Sequence, residues 1–144
     1  MAALSDNRNV NMRPATNQNR LDLAIETSEV LWQGALIVAK DDWLRCKAAA
    51  NETSTVFLGL NVAQATGNTG GTVSAEYIMG PGVLALLPTT GLTAGDVGVQ
   101  VFCADDNKVC AASTLGPKCG VYRAFDSTGY AWIDLNASAL GKAS

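Results

Sequence analysis

Hydrophobic and polar positions alternate with a period of two along most of the chain. Leu21, Leu23 and Ile25 are interleaved with Asp22, Ala24 and Glu26, the pattern of a strand buried on one face. Val30–Trp32 leads through Gly34 into the apolar run Ala35–Ala39. Asp41-Asp42 then sits where a turn would bring Trp43–Cys46 back alongside it. Thr55–Val62 is rich in β-branched and apolar residues, and Gly67–Gly71 is a loop signal. Thr72–Met79 predicts a further strand, and Gly80-Pro81-Gly82 turns the chain into Val83–Leu87. Pro88–Asp96 is expected as a loop. Val97–Ala104 with Val109–Ala111, and Lys118–Phe125 with Tyr130–Leu135, are expected as two hairpins. The stretch around Ala48-Ala49-Ala50 is the only helix-like one, and it is too short to stand alone. Strands at this spacing, with recurrent turn signals, predict an all-β sandwich or barrel.

The first twenty residues read differently. They hold five asparagines, three arginines and one aspartate, and their apolar residues follow neither a period of two nor one of 3.6. Pro14 discourages regular pairing. The expected organisation is an N-terminal arm over residues 1–20 and one β domain over 21–144. The arm carries a charge of +2 within a chain of net charge −3, which leaves −5 to the body.

Composition narrows the chemistry. In 144 residues there is no histidine, so neither a Ser-His-Asp group nor a histidine-ligated metal can be built from this chain. Charged residues are 16% and hydrophobic residues 48%, against a strongly basic nucleic-acid binder and against disorder. The longest apolar runs are far below the ~18 residues of a spanning helix, and the N-terminus turns polar before a secretory core could form. The expectation is synthesis in a cytoplasm, with no membrane and no nucleic-acid partner.

Cys46, Cys103, Cys110 and Cys119 contain no C-x-x-C pair, so buried free thiols are expected rather than zinc. In a hairpin closed at Asp105–Lys108, Cys103 and Cys110 would lie opposite each other. Many carboxylates, Asp41, Asp42, Asp96, Asp105, Asp106 and Asp126, fall at expected turns or loops, where Asp caps its own backbone; Glu76, Asp134, Asp22 and Glu26 fall on strands, where a solvated face is the commoner role. Two readings survive beside a structural one. Trp32, Trp43 and Trp132, with the Gly67–Gly71 loop, would suit a carbohydrate- or receptor-binding β module. Two carboxylates in a cleft would suit a glycosidase. No catalytic residue, metal or cofactor is singled out.

Three runs carry a resemblance: Leu92–Phe102 followed by Ala104–Val109; Gly120–Arg123 followed by Asp126–Leu135; and the Asn/Arg-rich leader followed by Gly34–Val38. In their order and spacing the chain resembles the capsid decoration (cement, head-stabilising) proteins of tailed bacteriophages. The resemblance implies a small antiparallel β-barrel or β-tulip-like domain with an extended N-terminal arm. It implies a non-enzymatic protein on the outer surface of the virion, homo-oligomeric with a trimer favoured. Its partner would be the major capsid protein, whose neighbouring subunits it bridges in the expanded head. On this reading Asn7, Asn9 and Asn17 bond the capsid backbone, Arg8, Arg13 and Arg20 meet acidic capsid residues, and Val10 and Met12 fill small pockets.

Overall fold

The computed structural model describes residues 3–13, 19–40, 45–50, 55–79, 82–113 and 115–136. The fold is nearly all β. In chain order the strands are β1 (Met12–Arg13), β2 (Asn19–Ala24), β3 (Val30–Leu31), β4 (Leu36–Lys40), β5 (Cys46–Ala48), β6 (Thr55–Asn61) and β7 (Ala65–Thr66). They continue with β8 (Ser74–Met79), β9 (Leu84–Thr90), β10 (Gln100–Cys103), β11 (Val109–Cys110), β12 (Lys118–Ser127) and β13 (Tyr130–Asp134). A single 3₁₀ turn, Ala94–Asp96, precedes β10.

Five strands close on themselves in the order β9-β11-β10-β12-β13, with β13 returning to β9. This is the expected barrel, with one departure from antiparallel order: β11 runs parallel to β9, through Val109↔Thr89 and Cys110↔Thr90. A ring this small has no room for a channel, and its interior is filled by Ala85, Leu87, Val101, Cys103, Val109, Cys119, Ala131 and Ile133, all inaccessible to solvent. Register shifts at Val101/Phe102, Tyr122/Ala124 and Phe125/Ser127 supply the local bends that closure requires. Gly120 is required where β12 crosses β13, because a Cβ there would meet the carbonyl oxygen of Asp134.

The second layer is the sheet β2-β8-β6-β4-β5. The alternation along β4 shows how it is placed. Leu36 and Val38 point into the core shared with the barrel, alongside Phe57, Leu60 and Ile78. Ile37 points the other way, into a smaller cluster with Ile25, Leu31, Cys46, Ala75 and Tyr77. The short ribbon β3–β7 carries Leu31 into that second cluster.

Most expected elements are present, with differences that have local causes. β9 continues through Pro88 to Thr90, where a loop was expected, because the chain there is held from both sides by β13 and β11. Of the three alanines, Ala48 ends β5, which pairs with β4, and Ala49 and Ala50 follow it outside any helix or strand. Asp41-Asp42 and Trp43 lie outside the described residues. β10 and β11 do pair, but in the register Phe102↔Cys110 and Cys103↔Val109. Cys103 and Cys110 are therefore not opposite each other, and the cross-strand disulfide geometry is not met. The thiol that Cys103 meets is that of Cys119, on the neighbouring strand β12. Among the described residues no helix is long and apolar enough to cross a membrane.

Candidate functional site

Residues 3–13 are laid along the body of their own chain. From Asn7 to Met12 the exposure alternates: Asn7, Asn9 and Asn11 are exposed, while Arg8, Val10 and Met12 are half-buried. This is a period of two, the signature of an extended segment with one face docked. It went unseen in the sequence because Arg8 is polar, yet it takes an inward position.

The docking is specific. The Arg8 backbone N–H donates to the Gln33 carbonyl at 3.0 Å, and Gln33 N–H donates to Asn7 Oδ1 at 2.8 Å. Asn7 Nδ2 donates to Gln64 Oε1, and Gln33 Nε2 donates to Asn9 Oδ1. The Arg8 guanidinium donates from Nε to the Gly34 carbonyl at 2.9 Å and from Nη1 to the Asn107 carbonyl at 2.8 Å. It thereby ties the entry of β4 to the β10–β11 turn. Gly34 sits at φ +86°, and a Cβ on it would lie 2.5 Å from Arg8 Cγ. Glycine is thus needed there both for the backbone conformation and for the Arg8 stem. Val10 and Met12 pack against the main core. The Leu86 N–H donates to the Asn11 carbonyl, and β1 then pairs with β9 through Met12↔Ala85 and Arg13↔Leu84. β1 and β11 thus share one edge of β9, and the segment completes the edge that the short β11 leaves open.

The electrostatics of this seat are those of burial. Burial holds the Arg8 guanidinium below its ordinary pKa, opposed by the nearby Asp106 carboxylate. Asp106 is 2% exposed, accepts from the Leu4 N–H at 3.0 Å, and has its pKa raised by burial and, more weakly, by Asp105.

The expected capsid-contacting residues therefore divide. Asn7, Arg8, Asn9, Val10 and Met12 come together on this chain's own surface, with Arg8, Val10 and Met12 facing inward. Arg13 is in β1 and Arg20 in β2, paired through the backbone with Leu84 and Ile78. Asn17 lies outside the described residues. The residues that receive the segment (Gln33, Gly34, Asn61, Gln64, Asp106 and Asn107) were not singled out in the sequence. Asp106 and Asn107 read there as an ordinary turn, and only the structure shows that the turn faces Arg8.

A second surface stands out. β12 is buried over Cys119–Tyr122, and then six consecutive residues, Arg123–Thr128, are exposed. This outer part of β12 carries Phe125, 46% exposed; Tyr130, 47% exposed, opens β13 next to it while pairing with Pro88 of β9. The loop bearing exposed Val97 is fixed at its base, where the Gly98 N–H donates to the Tyr122 carbonyl at 2.7 Å. Arg123 reaches back to Asp134 at 3.5 Å. Among the described residues β12 pairs with β10 no further than Val121, so beyond that point β12 has one neighbouring strand, β13, which is itself paired with β9 from Tyr130 to Asp134.

The other readings find less. Trp32 and Trp132 are both partly buried, and Trp43 lies outside the described residues. The Gly67–Gly71 loop is held down by Arg45, which donates to the Asn68 and Thr69 carbonyls at 3.0 Å each. Among the described residues no group of three or more Cys, Asp or Glu is placed to hold a metal ion. Asp134 accepts from the Gly82 N–H and from Arg123, while Glu76 is exposed on β8. No family model, no curated protein and no solved structure matches the chain.

Proposed function

We propose that this chain is a structural virion protein of the capsid-decoration type. It binds the outside of an expanded phage head as a homo-oligomer and stabilises the head by bridging neighbouring major capsid subunits. The ordered sequence runs described above point to this class. The structural observation that supports it best is the exposed outer part of β12 with the start of β13, where two aromatic side chains, Phe125 and Tyr130, stand about half exposed on the barrel. Aromatic anchors on a preorganised element carry much of the free energy of protein–protein contacts.

In this reading the barrel is the rigid body and the Arg123–Tyr130 hairpin is the principal contact with capsid. The N-terminal segment adds exposed Asn9 and Asn11 to this surface, while Arg8, Val10 and Met12 anchor it from beneath and Asn7 bonds Gln33 and Gln64 of its own chain. A lattice that presents the complete site only after expansion is stabilised by binding through linkage.

The test is a double variant, Phe125→Ser with Tyr130→Ser, bound to purified undecorated heads. Both side chains are about half exposed, so the variant is expected to keep its fold by circular dichroism. Loss of two anchors of about 2 kcal/mol each lowers affinity well over tenfold. Undiminished occupancy by the folded variant would overturn the assignment of the hairpin.

A further inference from the structure

Both strands at the start of the chain lie at sheet ends. β1 ends one sheet and pairs with β9; β2 ends the other and pairs with β8. Without them no other pairing is lost: the barrel still closes through β13 and β9, and β8-β6-β4-β5 remains a sheet. The two end pairings also run in step. Met12↔Ala85 and Arg13↔Leu84 join the chain to the barrel, and Asn19↔Met79 through Ala24↔Ser74 join it to the sheet, all antiparallel. Five residues separate Arg13 from Asn19 and four separate Met79 from Leu84, so the two registers differ by a single residue.

Burial marks where this edge ribbon ends. Before Ile25, every side chain whose burial is described is exposed or half-buried. Val10 and Met12 pack against the main core and Leu23 against the smaller one, each only partly buried. Ile25 is inaccessible to solvent, and its N–H donates to the Val73 carbonyl at 3.0 Å. The Glu26 N–H donates to the Cys46 carbonyl at 2.9 Å. Ahead of Ile25 the hold is largely polar: Leu4 on Asp106, Asn7 on Gln33 and Gln64, Arg8 on Gly34 and Asn107. Such bonds contribute little net free energy, because water takes them over when the segment leaves. Elements with few buried apolar contacts are the ones that open locally while the rest of a protein stays folded.

We propose that residues 3–13 and β2 form a releasable ribbon, which opens and recloses as one unit about Ile25 while the barrel and the other four strands of the sheet stay folded. Opening bares the outer edges of β8 and β9, rows of backbone N–H and C=O groups of the kind that pair with other strands. The inference stands on the topology and does not rest on the proposed partner.

The experiment is native-state hydrogen exchange of the full chain, read by NMR at rising urea below the unfolding transition. The Arg8 and Leu86 N–H groups bond the Gln33 and Asn11 carbonyls across the ribbon. They and the paired amides of β2 are expected to share one urea dependence, with protection at least about tenfold below that of Val101 and Ile133 in the barrel. Arg8→Met keeps the stem and removes the bonds to Gly34 and Asn107. It should lower protection at Leu86 and throughout β2 by one common factor, about tenfold. Asn7→Ala, a change to an exposed side chain, should do the same more weakly. Ile133→Val, in the barrel interior, should lower barrel protection about fivefold and leave the ribbon unchanged, since the ribbon opens with the barrel intact. Protection of β2 that neither Arg8→Met nor Asn7→Ala moves would show two independent pieces and overturn the proposal. Ribbon protection that falls in step with the barrel in Ile133→Val would show global unfolding only, and would overturn it too.

Discussion

Individual residues decide how the N-terminal segment is held. Gly34 is the sharpest case, because its left-handed backbone and the Arg8 stem exclude a side chain together. Gly34→Ala is expected to cost about 1–2 kcal/mol for the backbone conformation alone, and more for displacing Arg8. Urea denaturation should show this as a lowered midpoint, and limited proteolysis should show residues 3–13 cut faster. Asp106 is the pH-sensitive member of the seat. Its folded-state pKa is raised by burial, so the fold favours its neutral form. Its contribution to stability is therefore present at low pH and lost as pH rises from the unfolded-state value through the raised one. The difference in unfolding free energy between Asp106→Asn and the parent chain should shift in favour of the variant across that window; a flat difference would contradict the assignment. The thiols behave as a set. Burial pushes Cys46 up to about 11 and raises Cys110, while Cys103 is raised by its contact with Cys119 and by burial. All four cysteines are buried and free. Thiol reagent at pH 8 should modify none of them in the native protein and all of them in denaturant, since the thiolate is the reactive form.

At the scale of elements, the strands were legible because burial on one face imposes alternation, as along β6 and β8. Three features were not legible, each for a physical reason. The extension of β9 through Pro88–Thr90 comes from two neighbouring strands far away in sequence, which no local pattern reports. The register of β10 against β11 is set by the whole barrel and moves Cys103 away from Cys110. The docked arm is a strand-like segment whose inward face includes an arginine, so its alternation is hidden from a reading by hydrophobicity. Its polar partners, Gln33 and Gln64 above all, are ordinary amides until the fold brings them beside the segment. Gly120 tests the element that closes the barrel. Gly120→Ala drives a methyl against the Asp134 carbonyl and should separate β12 from β13. The expected loss is at least 1–3 kcal/mol, as for overpacking, read as a lower thermal midpoint. Gly129→Ala, whose Cβ meets nothing within 4 Å, controls for loss of a glycine at a turn, where φ is +82°.

At the scale of the whole molecule, a barrel and a sheet share one core, a polar segment seals the seam, and the outer part of β12 with the start of β13 exposes two aromatic residues. The division of charge read from the sequence takes on a physical meaning here. Part of the cationic arm is spent on its own anionic body, through Arg8 beside Asp106. The parts left outward are amides and aromatic rings, which suit contact with another protein surface. The measurement that tests the proposed function most directly is binding of the purified chain to two preparations of undecorated tailed-phage heads, one expanded and one unexpanded. The proposal predicts saturable occupancy of the expanded heads at a fixed ratio to the major capsid protein, with raised heat resistance, and little binding to the unexpanded form. Absence of binding to both preparations by the folded protein would contradict it.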